Sequence, residues 1–313
     1  MRHALSVALV GLTAAAFALL GNGYVRAQDA PQGAGITVSD CLTCHENAAG
    51  EAFQHTAHAR QNQSCANCHS RAAEHAAAQM AGQPGPVPTL KTLKAREINN
   101  MCLTCHEKGN QANYLSSMHD RRNVACTACH GVHTYKSEKA QLKTATVTET
   151  CYSCHKAERA KAMRASHHPL REGKMGCTSC HNPHDGARAK MLQADSVNEL
   201  CYKCHTEKRG PFAFEHAPVR EDCISCHEPH GTNHPRLLTQ KLPNLCWNCH
   251  FSGSGHFGSG DNASTPQGGV AVAPPGAPSG YPTVNSRFVG RACRTCHVKI
   301  HGTNHPSGAF LVR

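Results

Sequence analysis

Cysteine and histidine recur in this chain at one fixed spacing, Cys-x-x-Cys-His, which occurs ten times and uses all twenty cysteines. The motif cysteines are Cys41, Cys44, Cys65, Cys68, Cys102, Cys105, Cys126, Cys129, Cys151, Cys154, Cys177, Cys180, Cys201, Cys204, Cys223, Cys226, Cys246, Cys249, Cys293 and Cys296. On a helical turn, side chains at positions i, i+3 and i+4 share one face. Two thiols can therefore form thioethers with one macrocycle while the adjacent imidazole binds its metal. The pattern predicts ten covalently attached c-type haems.

The same spacing also occurs in other kinds of site. Cys-x-x-Cys serves zinc and redox centres, so one copy would be a weak signal. Ten copies, each followed by histidine and with no cysteine left over, favour haem over zinc ribbons or disulfides. The predicted proximal iron ligands are His45, His69, His106, His130, His155, His181, His205, His227, His250 and His297.

Histidines outside the motifs follow a rhythm that groups the motifs in pairs. In four of the pairs, the first motif is followed by a histidine thirteen or eleven residues later. The second motif is followed by one three to six residues later. These spacings predict a distal imidazole for each iron. The predicted distal ligands are His58, His75, His119, His133, His168, His184, His216, His230, His256 and His301.

The tenth distal ligand is the least determined of the set. His256 follows His250 in the position that the pairing requires, but His305 competes for the role. The sequence His-Gly-Thr-Asn-His-Pro begins at His230 and again at His301, which predicts equal roles for these two residues. The histidines predicted not to bind iron are His55, His167, His234 and His305.

A distal histidine for every iron predicts six-coordinate haems with no open site. Such haems suit electron transfer, whereas catalysis at haem requires an open position. The chain also lacks a Cys-x-x-Cys-Lys motif, which would suggest a multihaem reductase. The sequence therefore predicts an electron carrier and not an enzyme such as a nitrite reductase or hydroxylamine oxidase.

The composition predicts that haem replaces an ordinary apolar core. Aromatic residues make up 5% of the chain, and the 39% of hydrophobic residues include all twenty cysteines. The formal charge of +11 is scattered along the chain, and no nucleic-acid-binding module is visible. We expect the basic side chains to pair with haem propionates. Each oxidised haem with two imidazole ligands adds about −1, which leaves the oxidised holoprotein close to neutral.

The first 27 residues predict a cleaved secretory signal peptide. A cationic start precedes an apolar run from Ala4 to Leu20, and Val25 and Ala27 are small residues suited to a cleavage site. The alternative is an uncleaved anchor helix, for which this run is short. Haem c is attached outside the cytoplasmic membrane, so leader and motifs both predict a periplasmic protein. No later segment is predicted to span a bilayer.

The paired motifs predict a mostly helical fold of five tandem two-haem modules. Their approximate limits are 28–95, 96–143, 144–193, 194–239 and 240–313. We expect short α-helices and loops around a linear chain of haems, with little or no β-structure. Repeats of this size stack on their neighbours. A Gly/Pro-rich insertion at 252–290 interrupts the last module, as a surface loop or linker or as a partner-binding loop.

Three stretches carry the clearest helix signals. Ser196 and Glu199 have the spacing of a capping box before a helix through the seventh motif, with Gly210-Pro211 ending that segment. Alanine-rich sequence predicts helices over 72–80 and over 156–164.

The stretches 196–230 and 301–308 resemble the periplasmic decahaem cytochromes of the MtrA/DmsE type, which include MtoA and PioA. The resemblance covers nearly the whole chain after residue 27, and the 252–290 insertion departs from it. It implies bis-histidine haems in file inside an outer-membrane β-barrel porin of the MtrB kind. It also implies electron exchange with periplasmic or inner-membrane c-type cytochromes and with an extracellular cytochrome or reductase.

The resemblance implies extracellular electron transfer, either to metal oxides and other external acceptors or inward from ferrous iron. The sequence does not choose the direction. The alternative function is a soluble periplasmic electron shuttle or store that never enters a barrel.

Overall fold

The chain folds as short helical segments joined by loops. The computed structural model describes residues 37–48, 53–60, 64–250, 293–306 and 308–312. The α-helices are Val38–Leu42, Ala57–Arg60, Ala72–Met80, Ala95–Leu103, Met118–Arg121, Cys126–Cys129, Val147–Tyr152, Lys156–Ala162, Val197–Tyr202, Ala217–Glu221 and Asn244–Trp247. The 3-10 helices are Cys65–Asn67, Gly109–Gln111, Lys139–Gln141, Cys177–Ser179, Ala189–Met191, Thr206–Lys208, Cys223–Ser225, Pro235–Leu237, Cys293–Thr295 and Gly308–Phe310. The predicted leader, the 252–290 insertion and His256 lie outside the described residues.

Helices in this fold are short, and the motifs help to end them. The longest described helices have nine residues. In the part of the chain that the structure describes, no helix combines the length and the apolar character needed to cross a lipid bilayer.

The helix predictions hold in position but not always in length. The helix over 72–80 is confirmed, and the one predicted over 156–164 ends at Ala162. Ser196 caps its helix, because its hydroxyl accepts the Glu199 N–H at 3.1 Å. That helix ends at Tyr202, so the predicted continuation to Gly210 was wrong. His205 has the non-helical backbone angles φ −101° and ψ 52°, which carry the chain away directly after the motif.

The expectation of little or no β-structure is confirmed within the described ranges, where pairing is limited to isolated bridges. Three bridges connect a motif histidine to a leucine: His130 to Leu142, His181 to Leu192 and His227 to Leu238. Between each histidine and its leucine, two residues adopt positive φ, for example 53° at Lys190 and 54° at Met191. The second motif of three pairs is therefore followed by the same left-handed turn.

Contacts divide the chain into two units. One consists of Met1–Asn47 with Gln61–Leu90, and the other of Ala48–Arg60 with Lys91–Arg313. The first unit contains motifs one and two, and the second contains motifs three to ten.

Few apolar side chains are buried among the described residues. Ile98, Tyr114, Leu142, Ala162 and Leu311 are the buried hydrophobic ones. The buried polar side chains are Thr56, Asn99, Ser117, Asp120, Asp185, Asn198, Thr232 and Thr303. The loops are thus held by polar contacts more than by an oil-like core, as expected for a protein that wraps cofactors.

Candidate haem-binding sites

Each Cys-x-x-Cys-His motif forms a single helical turn. In all ten motifs the backbone N–H of the histidine donates to the carbonyl of the first cysteine, over 2.8 to 3.0 Å. In the first motif of each pair, that cysteine lies in the last turn of an α-helix, as Cys201 does in Val197–Tyr202. The turn gives both sulfurs and the imidazole a common side, which covalent haem attachment requires.

Among the residues that the structure describes, predicted proximal and distal histidines meet in at least eight pairs. Their ring centres are 5.9 to 6.3 Å apart, and the ring planes are inclined by 11° to 69°. The pairs are His45 with His75, His106 with His58, His130 with His184, His155 with His119, His181 with His230, His205 with His168, His227 with His301, and His250 with His216. Two metal–nitrogen bonds of about 2 Å on opposite sides of one ion separate imidazole centres by about 6 Å. The spacing therefore fits one iron between each pair.

The pairing follows a rule that crosses the predicted module limits. The first-motif histidine of a module meets the distal histidine that follows the first motif of the preceding module, as His205 meets His168. The second-motif histidine meets the distal histidine of the following module, as His181 meets His230. His45 instead meets His75 within the same module. Successive modules in the second unit thus complete one another's sites.

Hydrogen bonds at Nδ1 select the tautomer that iron needs. The second-motif histidines His69, His130, His181, His227 and His297 direct Nδ1 at the carbonyls of Pro88, Ala140, Lys190, Arg236 and Phe310, over 2.5 to 3.0 Å. A carbonyl only accepts hydrogen bonds, so Nδ1 carries the proton and Nε2 keeps its lone pair. Three of these carbonyls belong to the first residue of the left-handed turn, which explains why that turn recurs.

Three distal histidines make the same hydrogen bond from Nδ1 to a backbone carbonyl. Nδ1 of His75 bonds to the Pro86 carbonyl at 2.8 Å, that of His119 to Pro183 at 3.0 Å, and that of His168 to Pro229 at 2.8 Å. Pro183 and Pro229 immediately precede the distal histidines His184 and His230. A module therefore supplies one distal ligand and also orients the distal ligand contributed by the module before it.

Burial favours the neutral form of three distal imidazoles, those of His58, His184 and His301. Desolvation, followed by the neighbouring His130, lowers the pKa of His184. Desolvation, followed by Lys208, lowers the pKa of His301 to about 4. Desolvation and His106 lower the pKa of His58, whose buried Nδ1 has no hydrogen-bond partner among the described residues. A neutral imidazole is the form that binds iron, so the chain prepares these rings for ligation.

Cysteines of successive motifs lie side by side. Within modules, a thiol hydrogen bond to the first cysteine of the second motif raises the pKa of Cys102, Cys151 and Cys246. Between modules, burial and then the next motif's second cysteine raise the pKa of Cys129, Cys180 and Cys226. Burial and then Cys223 likewise raise the pKa of Cys201. From motif three to motif ten, the attachment points therefore follow one another in sequence order.

Two buried asparagines brace motif pairs, and the sequence analysis did not identify them. Asn198 donates to the Val219 and Arg220 carbonyls at 3.0 and 2.9 Å, and its Oδ1 accepts the Cys223 N–H at 2.8 Å. Asn99 bonds in the same way to Val124 and to the N–H of Cys126. Both stand three residues before the first cysteine of a first motif, and this recurrence was the available signal.

Replacing Asn198 by alanine should lower the free energy of unfolding by about 2 kcal/mol, because it leaves part-buried backbone groups without partners. Chemical denaturation of the holoprotein measures the loss. Asn244, an exposed helical asparagine, provides the control substitution to alanine. Equal stabilities of the two variants would contradict the bracing role.

For the remaining histidines, the structure shows contacts for two of them and does not describe the third. His133 packs against Phe53 with ring centres 5.7 Å apart, and its ligand role stays a prediction. His256 lies outside the described residues, so its competition with His305 stays open. His167 has both ring nitrogens engaged, with Arg164 at 2.6 Å and Glu172 at 3.1 Å, which leaves neither for iron.

The two copies of His-Gly-Thr-Asn-His-Pro occupy equivalent positions. Thr232 pairs with Ser166 and Thr303 with Phe214 through backbone hydrogen bonds of 2.8 to 3.0 Å in both directions. In both copies, the N–H of the second histidine bonds to the threonine hydroxyl two residues earlier. Each copy therefore anchors its module to the segment before a distal histidine of the preceding module.

Comparisons with known proteins agree with this geometry. A family model described as a doubled CXXCH motif matches residues 34–74, 119–160, 167–210 and 216–254. The chain is 35% identical to the multihaem cytochrome MtrA of Shewanella baltica (strain OS185) over 308 residues. This aligned region covers 95% of this chain and 86% of the Shewanella protein. The four matched segments reach into all five predicted modules but do not follow their limits, since 119–160, 167–210 and 216–254 each cross from one predicted module into the next.

Proposed function

This chain belongs to the MtrA-type family of multihaem c-type cytochromes, and from that premise we propose that it conducts electrons across the outer membrane from within a porin. As a member of this family it binds haem c covalently and is an electron carrier and not an enzyme. The conduit role, the number of haems and the partners are the further steps of the proposal.

We assign one haem to each of the ten motifs. The eight histidine pairs, with ring centres about 6 Å apart, carry this assignment for eight motifs. The second and tenth motifs are assigned from the same motif turn and the same Nδ1 hydrogen bond to a carbonyl. When bound, each haem iron supplies a one-electron couple. The paired imidazoles would hold the iron from both sides and would leave no open position for a substrate.

The chain itself fixes the orientation of the predicted imidazole ligands. Nδ1 hydrogen bonds to backbone carbonyls fix the orientation of rings such as His168 and His181. Because the held imidazoles change little in position between the two oxidation states, the reorganisation energy of electron transfer is small. The adjacency of cysteines in successive motifs also supports close spacing of the cofactors, since each sulfur anchors a porphyrin edge.

Export and membrane association belong to the same proposal. The leader at 1–27 would direct the chain to the periplasm. Irregular backbone survives at membrane depth only inside protein or in a water-filled lumen, and a wide β-barrel provides such a lumen. The isolated bridges and short helices described above are backbone of this kind. We propose periplasmic or inner-membrane c-type cytochromes as partners on one side and an extracellular cytochrome or reductase on the other.

The conduit is tested by reconstituting the holoprotein with its co-purified barrel in liposomes that contain a redox dye. An external electron donor or acceptor should change the dye, while liposomes with the barrel alone should not respond. No dye response with the complete complex would reject the conduit.

Fractionation separates the conduit from the periplasmic shuttle. A conduit should remain with detergent-solubilised outer membrane and co-purify with a barrel protein. Release of all the cytochrome with the periplasmic fraction would instead support the shuttle.

A further inference from the structure

Glu228 contacts a predicted haem ligand through its side chain. It directly follows the motif histidine His227 and lies two residues before His230, the distal partner of His181. Its Oε1 is 3.2 Å from Nδ1 of His230 and also accepts the backbone N–H of His230 at 3.2 Å. The distal imidazole of this pair is therefore hydrogen-bonded to a carboxylate.

Three other distal histidines have uncharged partners at Nδ1. His75, His119 and His168 bond to proline carbonyls. The position after the motif histidine, which Glu228 occupies, is Gly131 in the second module and Asn182 in the third. The side-chain oxygen of Asn182 accepts the backbone N–H of His184 at 3.1 Å, but it is an uncharged amide oxygen and not a carboxylate. The glutamate thus distinguishes the pair of His181 and His230.

The charge on this partner has a direct consequence for a bound iron. A carboxylate at Nδ1 makes the imidazole a stronger electron donor than a carbonyl does. Stronger donation and nearby negative charge both favour the oxidised iron and so lower its reduction potential. The side chain of Glu228 is 28% exposed, so solvent screens this effect only in part.

A lysine opposes the glutamate. Nζ of Lys161 lies 3.2 Å from Oε2 of Glu228, while Oε1 faces His230. The two carboxylate oxygens are thus shared between a cation and a haem ligand. Removing either charged partner should move the iron's potential, in opposite directions.

We propose that Glu228 lowers the reduction potential of the haem held between His181 and His230, below that of the haems whose distal histidines bond to backbone carbonyls. The proposal rests on the haem assignment made above. It implies that this haem has a lower reduction potential than those neighbouring haems in the chain of cofactors. Lys161, which pairs with the same carboxylate, reduces the size of this lowering.

Equilibrium redox titration of the full holoprotein, followed in the haem absorption bands, tests the proposal. Glu228→Gln should raise the potential of a single haem by a shift of about tenfold in its reduction equilibrium, equal to about 59 mV for one electron. Lys161→Gln should shift the same haem the other way by a smaller factor. Glu221→Gln, at an exposed glutamate, removes the same charge and should leave the titration unchanged.

A second background separates the hydrogen bond from long-range charge. With His230 replaced by methionine, Glu228→Gln should cause a smaller further shift, because the hydrogen-bonded imidazole is gone and only the nearby negative charge remains. An unchanged titration of Glu228→Gln, or shifts of the same sign in Glu228→Gln and Lys161→Gln, would each overturn the proposal. A full shift in the methionine background would overturn the part of it that acts through the hydrogen-bonded imidazole. These measurements need no membrane, so failure of the conduit in liposomes would be a separate result.

Discussion

Replacing His168 by methionine should raise the reduction potential of one haem by on the order of 0.1 V or more, within the roughly 0.8 V range that axial ligands span. Methionine is a weaker donor to ferric iron than imidazole and favours the reduced state. His168 faces His205 with ring centres 6.3 Å apart, and its Nδ1 is held by Pro229. The haem affected should therefore be the one attached at the seventh motif.

The neighbouring residue provides a matched control. His167 bonds through both ring nitrogens to Arg164 and Glu172, and this contact lowers the pKa of Glu172 to about 2. His167→Met should therefore leave all haem potentials unchanged, although it removes that contact. Voltammetry and the appearance of a methionine–iron absorption band distinguish the two variants. An unchanged potential in His168→Met, or an equal shift in His167→Met, would contradict the assignment.

Spacing predicts which histidines are ligands, but it does not predict which proximal histidine meets which distal one. The interval of thirteen residues between His155 and His168 marks His168 as a ligand. It does not say that His168 turns away from His155 and meets His205 instead. That choice depends on how one module lies on the next, through contacts such as Ser166 with Thr232 that are 66 residues apart in sequence. Sequence periodicity records the repeat but not the contacts between repeats.

The local structure was predictable to a similar degree. Alanine-rich sequence correctly predicted helix over 72–80, because propensity decides where packing is sparse. The left-handed turn at Lys190 and Met191 was not predicted, since neither residue type favours positive φ. The turn forms because it presents the Lys190 carbonyl to Nδ1 of His181. The hydrogen bond to a predicted haem ligand therefore outweighs the preference of these two residues for negative φ.

The interlocked modules also explain why so small an apolar core suffices. On the proposed assignment each iron would take ligands from separate segments, so a bound haem would cross-link the chain as well as carrying charge. Ligand binding to the native state alone stabilises that state by mass action. Damage at one junction between modules should therefore appear at more than one haem, and a glycine at such a junction tests this.

Gly231→Ala should be the most destabilising of three glycine substitutions. Gly231 has a φ of +138°, and a Cβ there would lie 2.1 Å from the Lys161 carbonyl oxygen. We expect a loss of about 3 kcal/mol or more, from backbone strain and overlap together. Gly302→Ala, at the equivalent position of the second repeat, meets the Phe212 ring at 2.4 Å and should cost less, because a side chain can move. Gly173→Ala, with a φ of +69° and no atom within 4 Å, should cost about 1 kcal/mol.

Two haems should respond to Gly231→Ala, and that response separates interlocking from simple destabilisation. Gly231 follows the ligand His230, and the adjacent Thr232 pairs with Ser166, two residues before the ligand His168. Opening this junction should loosen distal ligands at the sixth and seventh motifs together. Electron paramagnetic resonance should then show high-spin iron at two sites, with chemical denaturation giving the order of stability. If Gly231→Ala proved as stable as Gly173→Ala, or affected one haem alone, the modules would not depend on each other for their ligands in this way.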